Sequence, residues 1–248
     1  MTSSKKETQK NEEFESLKAE FVTLVSHELR SPATLVNGYL QVALDQFGDS
    51  INPEIKQYLE VARNNAARLT RIIQELTDFS DMLMAESPRT GNLLPLGVAI
   101  EQVLEIFKPH TDAKQIDLRV EIPDQVHNLE YDGESLIIIF RNLLSNSIKF
   151  SAVGAQIELS GFKDTKMKET KVEVVDFAST IPEEKRDHIF DDFRQIENHL
   201  TRRYEGMGLG LAVARRTARK YGWDILHQAQ PVGNRFTVIF PSQHKTGM

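Results

Sequence analysis

The sequence predicts an α+β protein: an N-terminal helical hairpin that pairs with a second copy into a dimeric four-helix bundle, followed by an α/β sandwich domain. Three observations carry that expectation. Apolar residues step at helical spacing through the first third of the chain, a heptad seam occupies the second of two helices, and beyond residue 88 helical stretches alternate with short strand-like ones.

Residues 1–12 are polar and form a frayed or disordered lead. The hairpin spans 13–88. In its first helix Phe14, Leu17, Phe21 and Leu24 recur at intervals of three and four and define one buried stripe. At about 100° per residue, His27 falls off the centre of that stripe, near Ser31, and is expected to reach solvent. Gly48-Asp49-Ser50 stops this helix after Phe47, and Asn52-Pro53-Glu54 starts another with a capping residue and a proline suited to the first turn. From there Ile55, Leu59, Ala62, Ala66, Leu69, Ile73, Leu76, Ser80 and Leu83 step by fours and threes. Two helices alone make a poor core, so this seam predicts a homodimer, the alternative being that it packs on the second domain. Ser87-Pro88-Arg89-Thr90-Gly91 breaks the hairpin. The second domain occupies 92–241, with helices at 98–107, 136–150 and 207–221, strands at 116–122, 156–161, 171–176, 224–227 and 235–240, and a tail at 242–248.

Composition narrows the function classes. The chain has 248 residues, 40% of them hydrophobic and 27% charged, as in a globular protein. A net charge of -6 without a basic stripe argues against a nucleic-acid partner. The lack of cysteine excludes disulfides, thiolate metal sites and cysteine nucleophiles. No stretch approaches the roughly 20 apolar residues of a membrane span, and the N-terminus is polar where a signal peptide is apolar. These features predict a cytoplasmic chain without a membrane span, standing alone or as the soluble core of a larger sensor.

Several runs carry chemistry. Phe21-Val22-Thr23-Leu24-Val25-Ser26-His27-Glu28-Leu29-Arg30-Ser31-Pro32 places a carboxylate beside an imidazole on a helix, a pairing suited to accept a phosphoryl group. Arg141-Asn142-Leu143-Leu144-Ser145-Asn146-Ser147-Ile148-Lys149-Phe150 puts Asn142, Asn146 and Lys149 on one helix face. Amide oxygens are hard ligands for magnesium and lysine is a point charge for phosphate, so that face suits a magnesium-triphosphate. Tyr204-Glu205-Gly206-Met207-Gly208-Leu209-Gly210-Leu211-Ala212 is a glycine loop opening a helix, where backbone and unpaired N–H groups approach phosphate closely.

Together these runs resemble the motifs of sensor histidine kinases. The run around His27 resembles the H-box, with Ser31 for the usual Thr. The run around Asn146 is similar to the N-box of the Bergerat-type ATP-binding fold, with Ser147 for the usual Ala, and the glycine loop resembles the G2 box. Leu200-Thr201-Arg202-Arg203-Tyr204-Glu205 resembles the mobile lid, and Ile189-Phe190-Asp191-Asp192-Phe193-Arg194-Gln195 resembles the F-box, whose aromatics are expected to anchor the lid by packing. Val172-Glu173-Val174-Val175-Asp176 ends where the family carries D-x-G-x-G. Asp176 is retained, but the glycine positions hold Ala178 and Thr180.

The resemblance covers about residues 13–241 and implies a protein histidine kinase core with an ATP-binding sandwich. On that footing Asn142, Asn146, Lys149, Asp176, Arg203, Gly206, Gly208 and Gly210 hold ATP, Asn146 ligates Mg2+, and Asp176 accepts from the adenine amino group. The γ-phosphoryl group passes to His27, with Glu28 orienting or deprotonating the imidazole, and then to an aspartate on the receiver domain of a response regulator. Ser31 takes the place that orients water during regulator dephosphorylation. If positions 178 and 180 need positive φ, side chains there cost about 1–3 kcal/mol of strain. That expectation motivates one alternative, a degenerate kinase that binds nucleotide weakly and serves as regulator phosphatase or scaffold. A different Bergerat-fold ATPase is another alternative, against which the H-box and the heptad hairpin stand. Among seven histidines, His27 is expected to be phosphorylated, because its carboxylate neighbour and helix-face setting are read as unique to it.

Overall fold

The computed structural model describes residues 25–26, 28–84, 92–192, 194 and 207–241. The chain forms two compact units, the first built on residues 1–86 and the second on 87–204 and 208–248.

The first unit is a hairpin of α1, residues 28–47, and α2, Pro53–Met84. The Gly48 N–H closes α1 on the Leu44 carbonyl at 2.9 Å, and the Asn52 side chain opens α2 by accepting from the Glu54 N–H at 2.8 Å. Ala33, Ile73 and Phe79 are buried, with Thr77 beside them. The Arg30 guanidinium crosses from α1 to donate to Thr77 Oγ1 at 2.7 Å, and the Thr77 hydroxyl donates to the Ile73 carbonyl. The predicted seam divides within one chain. Ala66, Ile73 and Ser80 are buried, whereas Ile55 and Leu69 remain 49% and 43% exposed. Ile73 therefore does not depend on a second copy for cover. The outer face of α1 carries Leu35, Tyr39 and Val42, all exposed and again spaced by four and three.

The second unit begins with a small antiparallel ladder, β1 (Leu93–Pro95) on β3 (Glu130–Asp132), flanking α3 (Leu96–Ala113), β2 (Asp117–Glu121) and α4 (Asp124–His127). Then follow α5 (Gly133–Phe150), β4 (Gln156–Asp164), β5 (Glu169–Asp176), a 3₁₀ turn (Glu183–His188), α6 (Gly210–Lys220), β6 (Asp224–Ala229) and β7 (Asn234–Pro241). The main sheet has the order β2-β4-β5-β7-β6, parallel between β2 and β4 and antiparallel elsewhere. Ile157 and Leu159, Val172 and Val174, and Phe236, Val238 and Phe240 alternate onto one face and pack against Val103, Phe140, Leu144 and Ala214 of α3, α5 and α6. Helices on one face of a mixed sheet make the predicted α/β sandwich.

Several elements differ from the expectation. Helix α3 runs through Pro109 to Ala113, well beyond residue 107. A proline removes one helical N–H, but the Thr111 hydroxyl donates to the Lys108 carbonyl at 2.9 Å just past it. The β1–β3 ladder and α4 have three or four residues per segment, too few to show a period.

Helix α5 is held at both ends. Asp132 caps its start by accepting from the Ser135 N–H at 2.9 Å, and the Lys114 ammonium reaches the carbonyls of Ile148, Lys149 and Ser151 at 2.8, 3.1 and 3.2 Å. Helix α6 is tied to β6 through Asp224, which accepts from Arg215, Arg219 and the Ile225 N–H. Burial pushes that carboxyl up, but Arg215, Arg219 and the Ile225 N–H outweigh it and lower its pKa from 3.8 to about 2. A folded-state value below the unfolded one stabilises above pH 3.8, and the contribution is lost as pH falls through about 2. With the side chain 36% exposed, solvent screening leaves on the order of 1 kcal/mol. Thermal unfolding of the parent should therefore lose a few degrees between pH 4 and pH 2 that Asp224→Asn does not lose; parallel curves would refute this.

Candidate functional site

Helix α5 presents Asn142, Asn146 and Lys149 on one half-exposed face, while Leu143, Leu144, Ser147 and Ile148 turn into the core. The amphipathic spacing of the sequence produces that division directly. Asn142 donates through Nδ2 to the Ile138 carbonyl at 2.8 Å, which aims its Oδ1 outward from the helix. That oxygen lies against the start of α6, where a Cβ added to Gly210 would stand 2.9 Å from it. Gly208 has φ +77°, which favours glycine, and the buried Leu209 seats the loop and accepts from the Val213 N–H at 2.8 Å. Two glycines thus let a helix N-terminus lie against an amide-bearing helix face. Lys149 lies with its ammonium 4.9 Å from the Phe150 ring centroid.

Asp176 closes β5 and is only 2% exposed. Its Oδ1 accepts from the Asn234 amide at 3.1 Å and the Ala178 N–H at 3.2 Å, and its Oδ2 accepts from the Ser147 hydroxyl at 3.3 Å. Burial raises its pKa, and the hydrogen bonds from Asn234, Ala178 and Ser147 hold it back. Ser147 links the α5 motif to the end of β5. Its departure from the family's alanine thus has a structural use.

The backbone corrects the expected strain. Ala178 and Thr180 do not have positive φ; among described non-glycine residues only Gln115 and Lys168 do. Thr180 is put to use as well, accepting from the Gly233 N–H at 3.1 Å and donating to the Gln230 carbonyl at 3.4 Å. The Thr180 hydroxyl fastens the loop at a position where the family pattern has glycine.

Helix α6 also secures the F-box-like segment. Ile189 is buried, the Arg215 guanidinium sits 4.5 Å from the Phe190 ring centroid, and Arg216 pairs with Asp192 at 2.7 Å. In the hairpin, Glu28 and Ser31 are exposed on α1. His27, Arg203 and Gly206, the lid-like run 200–205, the stripe at 14–24 and both chain ends lie outside the described residues. The carboxylate neighbour is not unique to His27. His127 Nε2 lies 3.2 Å from Glu101 and His188 Nδ1 lies 2.7 Å from Asp191. The first pair joins residues 26 apart, which a reading of neighbouring residues cannot detect, whereas His188 also has Asp187 directly before it in the sequence. No set of three or more His, Asp or Glu side chains among the described residues could hold a metal ion.

Two family models match the chain. Residues 17–83 match the His Kinase A (phospho-acceptor) domain, and residues 131–244 match the histidine kinase-, DNA gyrase B- and HSP90-like ATPase. The chain belongs to the sensor histidine kinases. Among its relatives is hybrid signal transduction histidine kinase D of Dictyostelium discoideum, 27% identical over 237 residues, which cover 94% of this chain and 15% of that protein. This sensor kinase chain therefore spans a small part of that relative's length. Solved structures share its fold. Full-length ShkA in complex with AMPPNP has a TM-score of 0.70 at 21% identity, covering 90% of this chain and 45% of that one. Histidine kinase ThkA in complex with response regulator protein TrrA has a TM-score of 0.63 at 22% identity, covering 98% and 67%. No described helix is long and apolar enough to cross a membrane.

Proposed function

We propose that this chain is the catalytic core of a two-component system. It uses ATP to phosphorylate His27 and passes the phosphoryl group to an aspartate on a response regulator. The observation that carries the reading is the joining of three motifs in one unit: the Asn142 face of α5, the Gly208–Gly210 start of α6 against it, and the buried Asp176 linked to α5 through Ser147. The ShkA–AMPPNP and ThkA–TrrA complexes support nucleotide and regulator as the partners.

In this reading Asp176 accepts from the adenine amino group, Lys149 and the N–H groups opening α6 receive phosphate, and Arg203 and Gly206 complete the loop. The donor chemistry of Asn146 fits a hard cation. Mg2+, when bound, neutralises charge on the phosphate oxygens. His27 attacks through a neutral ring nitrogen: the N–P bond forms, the bridging P–O bond to the β-phosphate breaks, and ADP leaves. Glu28 accepts the proton from the other ring nitrogen as positive charge develops on the imidazole. Ser31, exposed one turn beyond His27, orients water when the regulator is dephosphorylated. The exposed Leu35, Tyr39, Val42, Ile55 and Leu69 support a homodimer built on the hairpin.

Incubation with γ-labelled ATP should place acid-labile, alkali-stable phosphate on the protein, and an added receiver domain should remove it. Light scattering at micromolar concentration should give twice the chain mass. Folded protein that takes no label would instead favour the phosphatase or scaffold alternative.

A further inference from the structure

Asp176 owes its setting to a residue that none of the motifs contains. Asn234 begins β7 directly opposite Asp176 in the antiparallel register and is 4% exposed. Its Nδ2 donates to Asp176 Oδ1 at 3.1 Å and to the Ser179 carbonyl at 3.2 Å; its Oδ1 accepts from the Ile181 N–H at 3.1 Å and lies 3.2 Å from His227 Nε2. A carboxamide has two donor hydrogens and two acceptor lone pairs, so all four are used when His227 carries its proton on Nε2. Two of the partners are backbone groups with fixed roles. The Ile181 N–H requires the oxygen on its side and the Ser179 carbonyl requires the nitrogen on the other, so the NH2 group faces Asp176. Gly233, with φ +91°, permits the approach, because a Cβ there would strike the Asp176 carbonyl.

We propose that Asn234 is the positioning residue for the adenine-recognising carboxylate: by holding Asp176 Oδ1 and tying the 178–181 turn to β6 and β7, it leaves Oδ2 to meet the exocyclic amino group. The proposal rests on the assignment of Asp176 to adenine. Asn234 Nδ2 and the Ala178 N–H both donate to Oδ1, the Asn234 backbone N–H also donates to the carboxylate, and the Ser147 hydroxyl donates to Oδ2, the oxygen that the proposal assigns to a purine amino group. Guanine places a carbonyl at that point and is repelled. The ratio of adenine to guanine affinity therefore reports how the carboxylate is held, which overall stability does not.

The test is calorimetric titration of the full chain with magnesium-ADP and magnesium-GDP, for the parent, Asp176→Asn, Asn234→Ala and Asn234→Asp, each first shown to be folded by its thermal transition. Asn234→Asp keeps the shape and sets another carboxylate against Asp176, so it serves if the alanine variant does not fold. Both Asn234 variants should lower the ADP-to-GDP affinity ratio by about tenfold or more, the scale of one charge-assisted hydrogen bond. An Asp176→Asn variant with the parental ratio overturns the adenine assignment and this proposal with it. If Asp176→Asn collapses the ratio while a folded Asn234 variant keeps it, the proposal alone is overturned.

Discussion

Replacing His27 with Gln should abolish acid-labile phosphorylation completely while leaving magnesium-ADP affinity within about twofold. Gln keeps a polar side chain of comparable reach but has no nucleophilic ring nitrogen, so the variant removes the chemistry while keeping polarity and size. His127 and His188 sharpen the experiment, because each has a carboxylate within hydrogen-bond distance and a contact-based argument would admit them. Both lie outside residues 17–83, the span matched to the phospho-acceptor domain. Residual acid-labile label on His27→Gln would move the acceptor to another histidine.

Gly210→Ala should weaken magnesium-ADP binding by at least tenfold while shifting the melting temperature by only a few degrees. The added Cβ would stand 2.9 Å from Asn142 Oδ1, closer than real Cβ contacts come. What must yield is the end of a side chain, so the fold adapts cheaply. The atom that moves, however, belongs to the amide face proposed to receive the magnesium-triphosphate, and a displacement of under 1 Å is costly in a preorganised site. Unchanged ADP affinity, measured by calorimetry, would remove Asn142 and the start of α6 from the nucleotide site. Equal losses of affinity and of thermal stability would make Gly210 a packing residue only.

The sequence by itself determined the α+β class, the hairpin with its turn at residues 48–52, and every strand of the main sheet, because those segments are long enough for their apolar period to be unambiguous. It also placed Asn142, Asn146 and Lys149 on one face, since three- and four-residue offsets on a helix admit no other arrangement. It identified Asp176 as retained and Ala178 and Thr180 as departures from the D-x-G-x-G pattern. The consequence drawn from that departure, strain at 178 and 180, did not follow, because side chains occupy a glycine position without cost when the backbone there has negative φ.

What only the tertiary structure decided are the contacts between residues distant in sequence. Asn234 meets Asp176 across 58 positions and Thr180 meets Gly233 across 53, and neither pair has a spacing that a one-dimensional pattern could reveal. Lys114 reaches the end of α5 from 34 or more residues away, and the heptad seam divides between buried Ile73 and exposed Leu69 only once α1 is packed beside it. Periodicity encodes which face of an element is apolar. Which polar side chain completes another's hydrogen bonds depends on how strands register and helices seat, and that is a property of the packed chain alone.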